Sequence, residues 1–313
     1  MTAGARLAGV AGYRPRRVVS NQEIAKRFGV TGAWIERRLG VRRRRFAGPG
    51  ESVVEMAAAA AAKALAAAGE PAARVDLVIL ATCSAPSPMP SIASQVAARL
   101  GVPGAGAFDV NAACAGFSYA LGAADGLIRS GLSRCALVIG AERMTDWVDP
   151  DDVDTATVFA DGAGAAVVTP ATQAAIHPVV WGGDGSRSGL LGIADRYATI
   201  RMDGPAVYRW ATTEMPPVAE AACRAAGLTT SDLKGFVSHQ ANLRMINRLA
   251  AALGVTGIAV ADDIIASGNT SAASIPLGLA RLIDLGRVRS GDPVLLLGFG
   301  AGLSYAAQVI DCP

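Results

Sequence analysis

Three polar side chains, far apart in an apolar chain, could together form a nucleophilic site. Cys114 lies between an apolar run that ends at Val110 and the segment Ala115–Ile128, whose apolar residues recur at helical spacing. His239 follows a second apolar run, and Asn269 precedes a further helical segment. Each of the three therefore falls at a predicted strand-to-helix turn. A thiol faced by two hydrogen-bond donors can attack a carbonyl carbon whose oxygen the donors stabilise.

Taken one at a time, these residues also have structural interpretations. A free cysteine often behaves as a small buried hydrophobe, and an asparagine ahead of a helix most often caps it. At Cys114, however, small neighbours leave space near the sulfur, and the adjoining helix N-terminus favours the thiolate. His177, the other of the two histidines, has no evident partner in the sequence, and we predict a structural role for it. The coincidence of three such turns favours the chemical interpretation.

Apolar runs alternate with helical segments along the whole chain. Ser52 and Glu55 have the spacing of a capping box at the start of an alanine-rich helix that runs to about Ala68. This alternation predicts parallel β-α-β units, with uninterrupted apolar runs as the central strands. The predicted strands are 6–19, 75–81, 106–110, 135–140, 236–237, 294–297 and 304–310, with a hairpin over 157–168. The predicted helices are a short one capped by Ser20, then 52–68, 91–100, 115–128, 243–253 and 274–285.

The second half of the chain repeats the order of the first. The helix that ends in Leu249–Val255 matches the one that ends in Val96–Val102, and a further helix and strands follow in the same order. A period of half the chain is too long for a solenoid and predicts two similar α/β halves. The predicted halves are residues 1–172 and 173–313. In parallel sheets, sites form at the carboxyl ends of the strands, where Cys114 and His239 both fall.

The composition argues against several classes of function. Twenty-nine basic residues nearly balance 26 acidic ones, so the net charge of +3 gives no support to a nucleic-acid partner. The uncharged windows 162–183 and 293–310 are broken by proline or glycine, which favours buried strands over a membrane span. Five cysteines, an odd number, are typical of reduced thiols, and the N-terminus lacks a signal-peptide core. We therefore predict a soluble, cytoplasmic protein with no membrane or nucleic-acid partner.

Two further runs leave alternatives open. The four arginines Arg42–Arg45 are predicted to form a solvated face, with a docking patch for an acidic partner or a phosphate as the alternative. The run Gly298–Gly302 is weak as a nucleotide motif, because a strand follows it where such a motif needs a helix. A close-approach turn that offers a backbone N–H to an oxyanion fits that run better.

Four motifs, in their order and length, resemble those of the β-ketoacyl-acyl carrier protein synthase III family. They are Asn111–Phe117, Asp161–Ala166, His239–Arg244 and Gly268–Ser274. The resemblance covers nearly the whole chain. It implies the α/β thiolase fold, with two similar halves in a five-layered α-β-α-β-α arrangement, and a homodimer. It also implies an acyltransferase that initiates fatty-acid or polyketide synthesis.

The mechanism that the resemblance implies has two steps. The Cys114 thiolate takes an acyl group from acyl-CoA or an acyl carrier protein, while the N–H groups of Cys114 and Ala301 hold the oxyanion. Neutral His239 and Asn269 then donate to the thioester oxygen of a malonyl-carrier protein, and the enolate left by carbon dioxide attacks the acyl-cysteine. The product is a 3-ketoacyl-carrier protein. No metal or redox cofactor is implied, and the CoA and phosphopantetheine thioesters are substrates.

The resemblance also assigns residues to substrate and partner binding. The implied CoA- and pantetheine-binding residues are Trp34, Arg38, Gly204, Tyr208, Ala241 and Asn242. Arg209 and Arg244 match the face that docks the carrier protein. Met89 matches the position that reaches the acyl pocket of the partner, and a flexible methionine there predicts tolerance of longer or branched acyl groups.

Three departures from the family pattern bear on the substrate. Val153–Asp154 stands where the family usually has Arg-Gly against the CoA nucleotide, so an anion replaces a cation near a phosphorylated ligand. Ser238 replaces the usual proline before the histidine, and Ala301 replaces the middle glycine of a Gly-Gly-Gly run while keeping its N–H. The anion favours a second hypothesis, an acyltransferase of the same fold that moves the acyl group to an alcohol or amine without decarboxylation. A non-catalytic subunit and a papain-like hydrolase fit less well, because all three polar groups are present and the chain is duplicated.

Overall fold

A computed structural model of the protein describes residues 4–195 and 197–313. The first part of the chain contains β1 (Gly4–Tyr13), β2 (Arg17–Ser20), α1 (Asn21–Phe28), α2 (Gly32–Leu39), β3 (Arg43–Phe46), α3 (Val53–Ala68), β4 (Leu77–Ala81), α4 (Ile92–Arg99), β5 (Gly106–Val110), α5 (Gly116–Arg129), β6 (Ala136–Arg143), α6 (Val153–Ala156) and β7 (Asp161–Ala171). The second part contains β8 (Val180–Gly183), β9 (Leu191–Gly192), β10 (Arg201–Met202), α7 (Gly204–Ala225), β11 (Gly235–Ser238), α8 (Leu243–Ala252), β12 (Ala259–Val260), α9 (Ile264–Ser267), α10 (Ser274–Asp284), β13 (Pro293–Gly300) and β14 (Ser304–Asp311). Within the two described ranges, no helix is both long and apolar enough to cross a membrane.

Two five-stranded sheets have the same internal order and the same strand directions. In the first sheet, β4 runs parallel to β5 and β6, β7 is antiparallel to β6, and β1 lies beyond β7. In the second sheet, β11 runs parallel to β12 and β13, β14 is antiparallel to β13, and β8 lies beyond β14. The predicted α/β fold of two similar halves is therefore confirmed. The boundary predicted between residues 172 and 173 lies in the segment that joins β7 to β8.

The two sheets pack against a shared central layer of two helices. α5 and α10 lie between the sheets, and their apolar faces join one buried cluster that contains Phe117, Leu121, Ile275 and Leu279. On the outer faces, α3 and α4 cover the first sheet, and α7 and α8 cover the second. Each element buries its apolar face against a neighbouring layer, which gives the predicted order α-β-α-β-α.

The central strands are apolar along their whole length because helices cover both of their faces. In β4, Ile79 belongs to the central cluster, whereas Val78 and Leu80 belong to the outer cluster beneath α3. All three side chains are fully buried. An uninterrupted apolar run is the pattern expected of a parallel strand that is covered on both sides.

Side-chain caps begin two of the predicted helices. The Ser20 hydroxyl accepts the Glu23 N–H at the start of α1, and the Ser52 hydroxyl accepts the Glu55 N–H at the start of α3. The Glu55 carboxylate does not complete the predicted capping box, because it pairs with Arg99 at 2.9 Å. Only one of the two hydrogen bonds of the box is therefore formed.

The hairpin predicted over 157–168 is wrong. Residues Asp161–Ala171 form one continuous strand, β7, between β1 and β6. The glycines of this strand leave space for a helix and do not turn the chain. A Cβ added at Gly164 would lie 2.7 Å from the Cβ of Pro276 in α10. Close approach of α10 to the sheet explains the glycine.

The single strand predicted over 6–19 is in fact two strands. β1 ends at Tyr13, and β2 begins at Arg17 and pairs with β3 in a separate two-stranded sheet. Pro15 lies between them and has no N–H to donate to a strand ladder, so the run of hydrogen bonds ends there.

The arginine run is not solvated throughout, which corrects the prediction for Arg42–Arg45. Strand alternation places Arg44 on the face opposite Arg43, and Arg44 is fully buried. Its Nη2 donates to Oδ1 of Asn21 at 3.0 Å and to the carbonyl oxygen of Thr157 at 2.9 Å. Burial lowers the pKa of Arg44 to about 10, which still leaves it charged at neutral pH. One arginine of the run is thus a structural cation.

Candidate active site

Cys114, His239 and Asn269 line one cavity between the two halves of the chain. The cavity has a volume of about 120 Å³, and Phe299 and Gly300 at the end of β13 form part of its wall. The three polar residues are nearly buried, with 5%, 3% and 5% of their surfaces exposed. The structure therefore brings together all three residues that sequence analysis selected for chemistry.

Cys114 and Asn269 lie on equivalent turns of the repeat. In the first half, Oδ1 of Asn111 accepts the N–H of Ala113 at 3.2 Å, and Ala113 has a φ of +46°. In the second half, Oδ1 of Asn269 accepts the N–H of Ser271 at 2.9 Å, and Ser271 has a φ of +47°. Each left-handed residue turns the chain sharply into a short 3₁₀ turn and then a central helix. The same backbone turn thus places a thiol in one half and an amide in the other.

The Cys114 thiol is protonated in the resting protein. Burial raises the pKa of Cys114 to about 12, and the nearby Ser271 side chain lowers it only in part. The helix N-terminus predicted from the sequence would lower this pKa, but α5 begins two residues later, at Gly116. The cost of placing an anion in apolar surroundings is the larger effect.

We expect alkylation of Cys114 by iodoacetamide to accelerate about tenfold per pH unit between about pH 7 and pH 10, because the thiolate fraction rises tenfold per unit below the pKa. The rate of mass increase, with peptide mapping to assign the modified residue, measures this. Cys114→Ser gives the background from the other four cysteines. A rate that stops rising near neutral pH would contradict the raised pKa.

His239 is neutral, and one of its two ring nitrogens is engaged in a hydrogen bond. Nδ1 lies 2.8 Å from Oγ of Ser274, and the Phe299 ring packs edge-on at a centroid distance of 5.4 Å. Burial lowers the pKa of His239 to about 3, so the ring carries no charge at physiological pH. A neutral imidazole has one nitrogen that donates and one that accepts.

The orientation of the Asn269 amide is fixed by its neighbour. Its oxygen accepts the Ser271 N–H, so a flipped amide would set two donors against each other. Among the described residues no acceptor faces its NH₂ group, which leaves that group available to a ligand oxygen in the cavity. The cavity therefore presents the neutral side chains of His239 and Asn269 beside the Cys114 thiol.

The cavity continues outward past the residues assigned to substrate binding. Its lining includes Arg38, Gly204, Tyr208, Ala241 and Asn242, together with Asp154. The Trp34 ring lies under the Arg38 guanidinium, at 5.0 Å from the ring centroid. Nη2 of Arg38 lies 2.5 Å from Oδ1 of Asp154. Asp154, which departs from the family pattern, thus forms an ion pair with Arg38 at the mouth of the cavity.

Arg209 and Arg244 lie together on the surface beside this mouth. They line a shallow cavity of about 280 Å³, which they share with Tyr208 and Asn242. In the part of the chain that the structure describes, neither guanidinium has an ion-pair partner. Two unpaired positive charges therefore lie next to the entrance of the cavity.

Three other residues selected from the sequence lie outside the cavity lining. Met89 is 78% exposed on the surface. Ala301 packs against a neighbouring apolar cluster, and Gly300 takes its place in the cavity wall. His177 has a partner that the sequence does not reveal, since its Nε2 lies 3.4 Å from Oδ1 of Asp311 at the end of β14.

A buried acid that was not predicted from the sequence lies behind the nucleophile. Glu142, near the end of β6, is fully buried, and its Oε1 accepts from the Ser271 hydroxyl at 3.0 Å and from the Cys83 thiol at 3.3 Å. Burial raises the pKa of Glu142, while its hydrogen bonds, above all that from Ser84, oppose this. The only signal in the sequence is a lone carboxylate at the end of an apolar strand.

Comparisons with known proteins agree with this architecture. The 3-oxoacyl-[acyl-carrier-protein] synthase III family matches residues 108–185, and the C-terminal domain of that family matches residues 223–312. β-Ketoacyl-[acyl-carrier-protein] synthase III 2 of Streptomyces avermitilis is 48% identical over 313 residues, which cover 99% of each chain. β-Ketoacyl-[acyl-carrier-protein] synthase III 4 of Streptomyces coelicolor is 47% identical and is covered completely. The crystal structure of the priming β-ketosynthase from the R1128 polyketide biosynthetic pathway matches with a TM-score of 0.96 at 44% identity, over 100% of this chain and 98% of that one.

A duplicated α/β chain with a cysteine, a histidine and an asparagine around one cavity defines a ketosynthase of the thiolase fold. Since the identities extend over the full length of the relatives, the chain belongs to the β-ketoacyl-[acyl-carrier-protein] synthase III family.

Proposed function

We propose that this protein condenses an acyl group held on Cys114 with a malonyl-carrier protein, with loss of carbon dioxide, to give a 3-ketoacyl-carrier protein. The observation that carries the proposal is one thiol and two neutral donors around a single buried cavity. The reaction would initiate fatty-acid or polyketide synthesis in the cytoplasm, and a priming ketosynthase of a polyketide pathway is among the similar structures. CoA and phosphopantetheine thioesters would be its substrates.

In the first step, Cys114 accepts the acyl group. The sulfur of Cys114 attacks the thioester carbon, and the bond from that carbon to the donor sulfur breaks. The proton that the thiol gives up is balanced by the one that the departing donor thiolate takes up. We assign the oxyanion of this step to the N–H groups of Cys114 and Ala301. Gly300 keeps the space around the sulfur open, since a Cβ added there would lie 3.1 Å from Sγ of Cys114.

In the second step, His239 and Asn269 hold the thioester oxygen of the malonyl group. Loss of carbon dioxide turns that oxygen into an enolate, and two fixed donors that are nearly buried stabilise the charge by about 3 kcal/mol each. The enolate carbon then attacks the acyl carbon, and Cys114 leaves as a thiolate and regains a proton. Neutral donors suit this site, because a buried cation would destabilise the resting protein.

Plain acyl transfer to an alcohol or amine is the weaker alternative. Such a transfer needs a base that takes the proton of the acceptor, and the best base has a pKa near the working pH. The pKa of His239, about 3, makes it a poor base. Decarboxylation needs no base, since the departing carbon dioxide leaves the electron pair behind. The charge state of His239 therefore favours condensation.

We further propose a homodimer that docks an acyl carrier protein. β5 is an edge strand that pairs with β4, and its Phe108 is 38% exposed. A second protomer at this edge would cover Phe108 and allow the exposed Met89 to reach its acyl cavity. Arg209 and Arg244 suit an acidic carrier protein, because they lie beside the entrance and neither has an ion-pair partner among the described residues.

The ion pair at the mouth predicts weak binding of the CoA nucleotide. We expect Asp154→Asn to lower the KM for acyl-CoA about three- to tenfold, because it removes a negative charge and frees Arg38 for a phosphate. An acyl-pantetheine thioester, which lacks the nucleotide, should show no change. Asp151→Asn is the matched control, since Asp151 pairs with Arg27 at 2.7 Å outside the cavity lining. An equal decrease of the KM for acyl-CoA and for acyl-pantetheine would contradict this explanation, which depends on the charge of the nucleotide.

The function is tested with purified protein, an acyl-CoA or acyl-carrier protein, and malonyl-carrier protein. Intact mass follows the acyl group on Cys114, and labelled carbon dioxide follows the condensation. We expect acylation first, then carbon dioxide and 3-ketoacyl-carrier protein in equal amounts. Acylation without carbon dioxide would favour plain transfer, and no acylation by any donor would leave only a binding role.

A further inference from the structure

Among the described residues, Ser274, which has no part in the mechanism above, makes the one hydrogen bond to the ring of His239. It begins α10, and 1% of its surface is exposed. Its Oγ lies 2.8 Å from Nδ1 of His239, and the same oxygen accepts the backbone N–H of Gln240 at 3.3 Å. Both contacts are buried in the protein.

The bond from Gln240 decides the direction of the bond to the ring. A serine hydroxyl has one proton to donate and two lone pairs that accept. Because Oγ already accepts from Gln240, its proton is free for Nδ1 of His239. In the opposite tautomer, Nδ1 would carry a proton and donate to Oγ, and the Ser274 proton would be left without an acceptor among the described residues. A buried donor without a partner is strongly disfavoured.

The remaining ring nitrogen, Nε2, is the one left to act in the cavity. Nδ1 is engaged by Ser274, and His239 lines the cavity beside Cys114 and Asn269. The tautomer with the proton on Nε2 can donate to a substrate oxygen, whereas the other tautomer would present a lone pair to it.

The backbone around this pair is fixed by further buried hydrogen bonds. The Gln240 side chain donates from Nε2 to the carbonyl oxygen of Ser238 at 2.8 Å, and its Oε1 accepts the N–H of Ile264 at 3.1 Å. The His239 N–H donates to the carbonyl oxygen of Leu297 at 2.7 Å. The N–H that sets the orientation of Ser274 is therefore held in place from both sides.

We propose that Ser274 is a positioning residue that fixes His239 in the tautomer with its proton on Nε2, so that the ring donates to the thioester oxygen. The proposal rests on the proposed function for its effect on decarboxylation. The tautomer itself does not depend on that function and can be measured without any substrate.

The test uses the full-length protein labelled with ¹⁵N, in which only two histidines give ring signals. Long-range ¹H–¹⁵N spectra distinguish a protonated ring nitrogen from an unprotonated one, and His177→Gln assigns the signals. We expect the parent protein to show His239 as a single species, protonated on Nε2. In Ser274→Ala we expect the Nδ1 signal to move and a fraction protonated on Nδ1 to appear.

Kinetics separate positioning from general damage. We expect Ser274→Ala to slow release of carbon dioxide about tenfold, as for the loss of one hydrogen bond that orients a catalytic group, while acylation of Cys114 stays within about twofold. Ser274→Thr keeps a hydroxyl and should restore most of the rate. Ser118→Ala is the matched control, because Ser118 is fully buried and its hydroxyl has no partner among the described residues.

Two results would overturn the proposal. One is a parent protein in which His239 is protonated on Nδ1, and the other is a Ser274→Ala variant with the parent spectrum and the parent rate of decarboxylation. If the spectra change as expected but the parent protein releases no carbon dioxide, the proposed function fails and the assignment of the tautomer stands.

Discussion

Replacing His239 with alanine is expected to slow formation of the 3-ketoacyl product about 10²- to 10³-fold, the usual effect of removing one donor from an oxyanion site. Acylation of Cys114 should stay within about threefold of the parent rate. The reason for the difference is the pKa of His239, about 3, which makes the ring a donor and a poor base for the thiol. Intact mass measures the acyl-enzyme, and labelled carbon dioxide measures the second step.

Asn269→Ala is the companion to this variant, because Asn269 supplies the other donor of the cavity. It should show the same division between an intact first step and a slow second one. If either variant also abolished acylation, the residue would act on the thiol, and the assignment of separate donors to the two steps would be wrong. Thermal unfolding of each variant distinguishes lost chemistry from lost structure.

Replacing Gly300 with alanine is expected to reduce acylation of Cys114 about 10²-fold, because displacement of reacting atoms by about 1 Å can cost that much. The new Cβ would lie 2.7 Å from the Cβ of Cys114 and 3.1 Å from its sulfur. Real Cβ atoms do not approach a neighbouring carbon so closely, so the cysteine or the end of β13 must move. The single-turnover rate of acyl-enzyme formation measures the effect.

Gly126→Ala is the control for this variant. Gly126 lies in α5, the helix that follows Cys114, and a Cβ added there meets no atom within 4 Å. We expect this change to leave acylation unaltered and to stabilise the helix slightly, since alanine is the better helix former. An active Gly300→Ala protein with unchanged acylation would mean that the space around the thiol is wider than its contacts indicate.

The two steps of the proposed reaction make opposite demands on one cavity. The cysteine must lose a proton, yet burial raises its pKa to about 12. The histidine must not gain a proton, and the same burial lowers its pKa to about 3. Burial therefore lowers the thiolate fraction of the resting Cys114, whereas it strengthens every hydrogen bond to the enolate. Gly300 leaves room for the acyl donor to fit closely around Cys114. This close positioning offsets the loss of reactivity that the high pKa of the thiol causes.

Much of the fold and of the site is determined by the sequence alone. Apolar runs such as Val75–Ala81 define the central strands, because strands covered on both faces have no polar side. The repeated order of strands and helices predicts the duplication, and the carboxyl ends of the strands then place Cys114 and His239 in one region. The motifs around these residues carry the resemblance to the family. All of these features depend on local pattern and spacing.

Only the tertiary structure decided the features that depend on distant segments. Arg44 is buried because strand alternation directs it toward Asn21 and Thr157, and Gly164 lies within one continuous strand, β7, against which α10 packs closely. The charge states of Cys114 and His239 follow from burial by both halves at once, which outweighs any helix terminus nearby. The tautomer of His239 depends on a serine 35 positions away. Local sequence specifies which groups are present at the turns, and packing between the two halves specifies their protonation and direction.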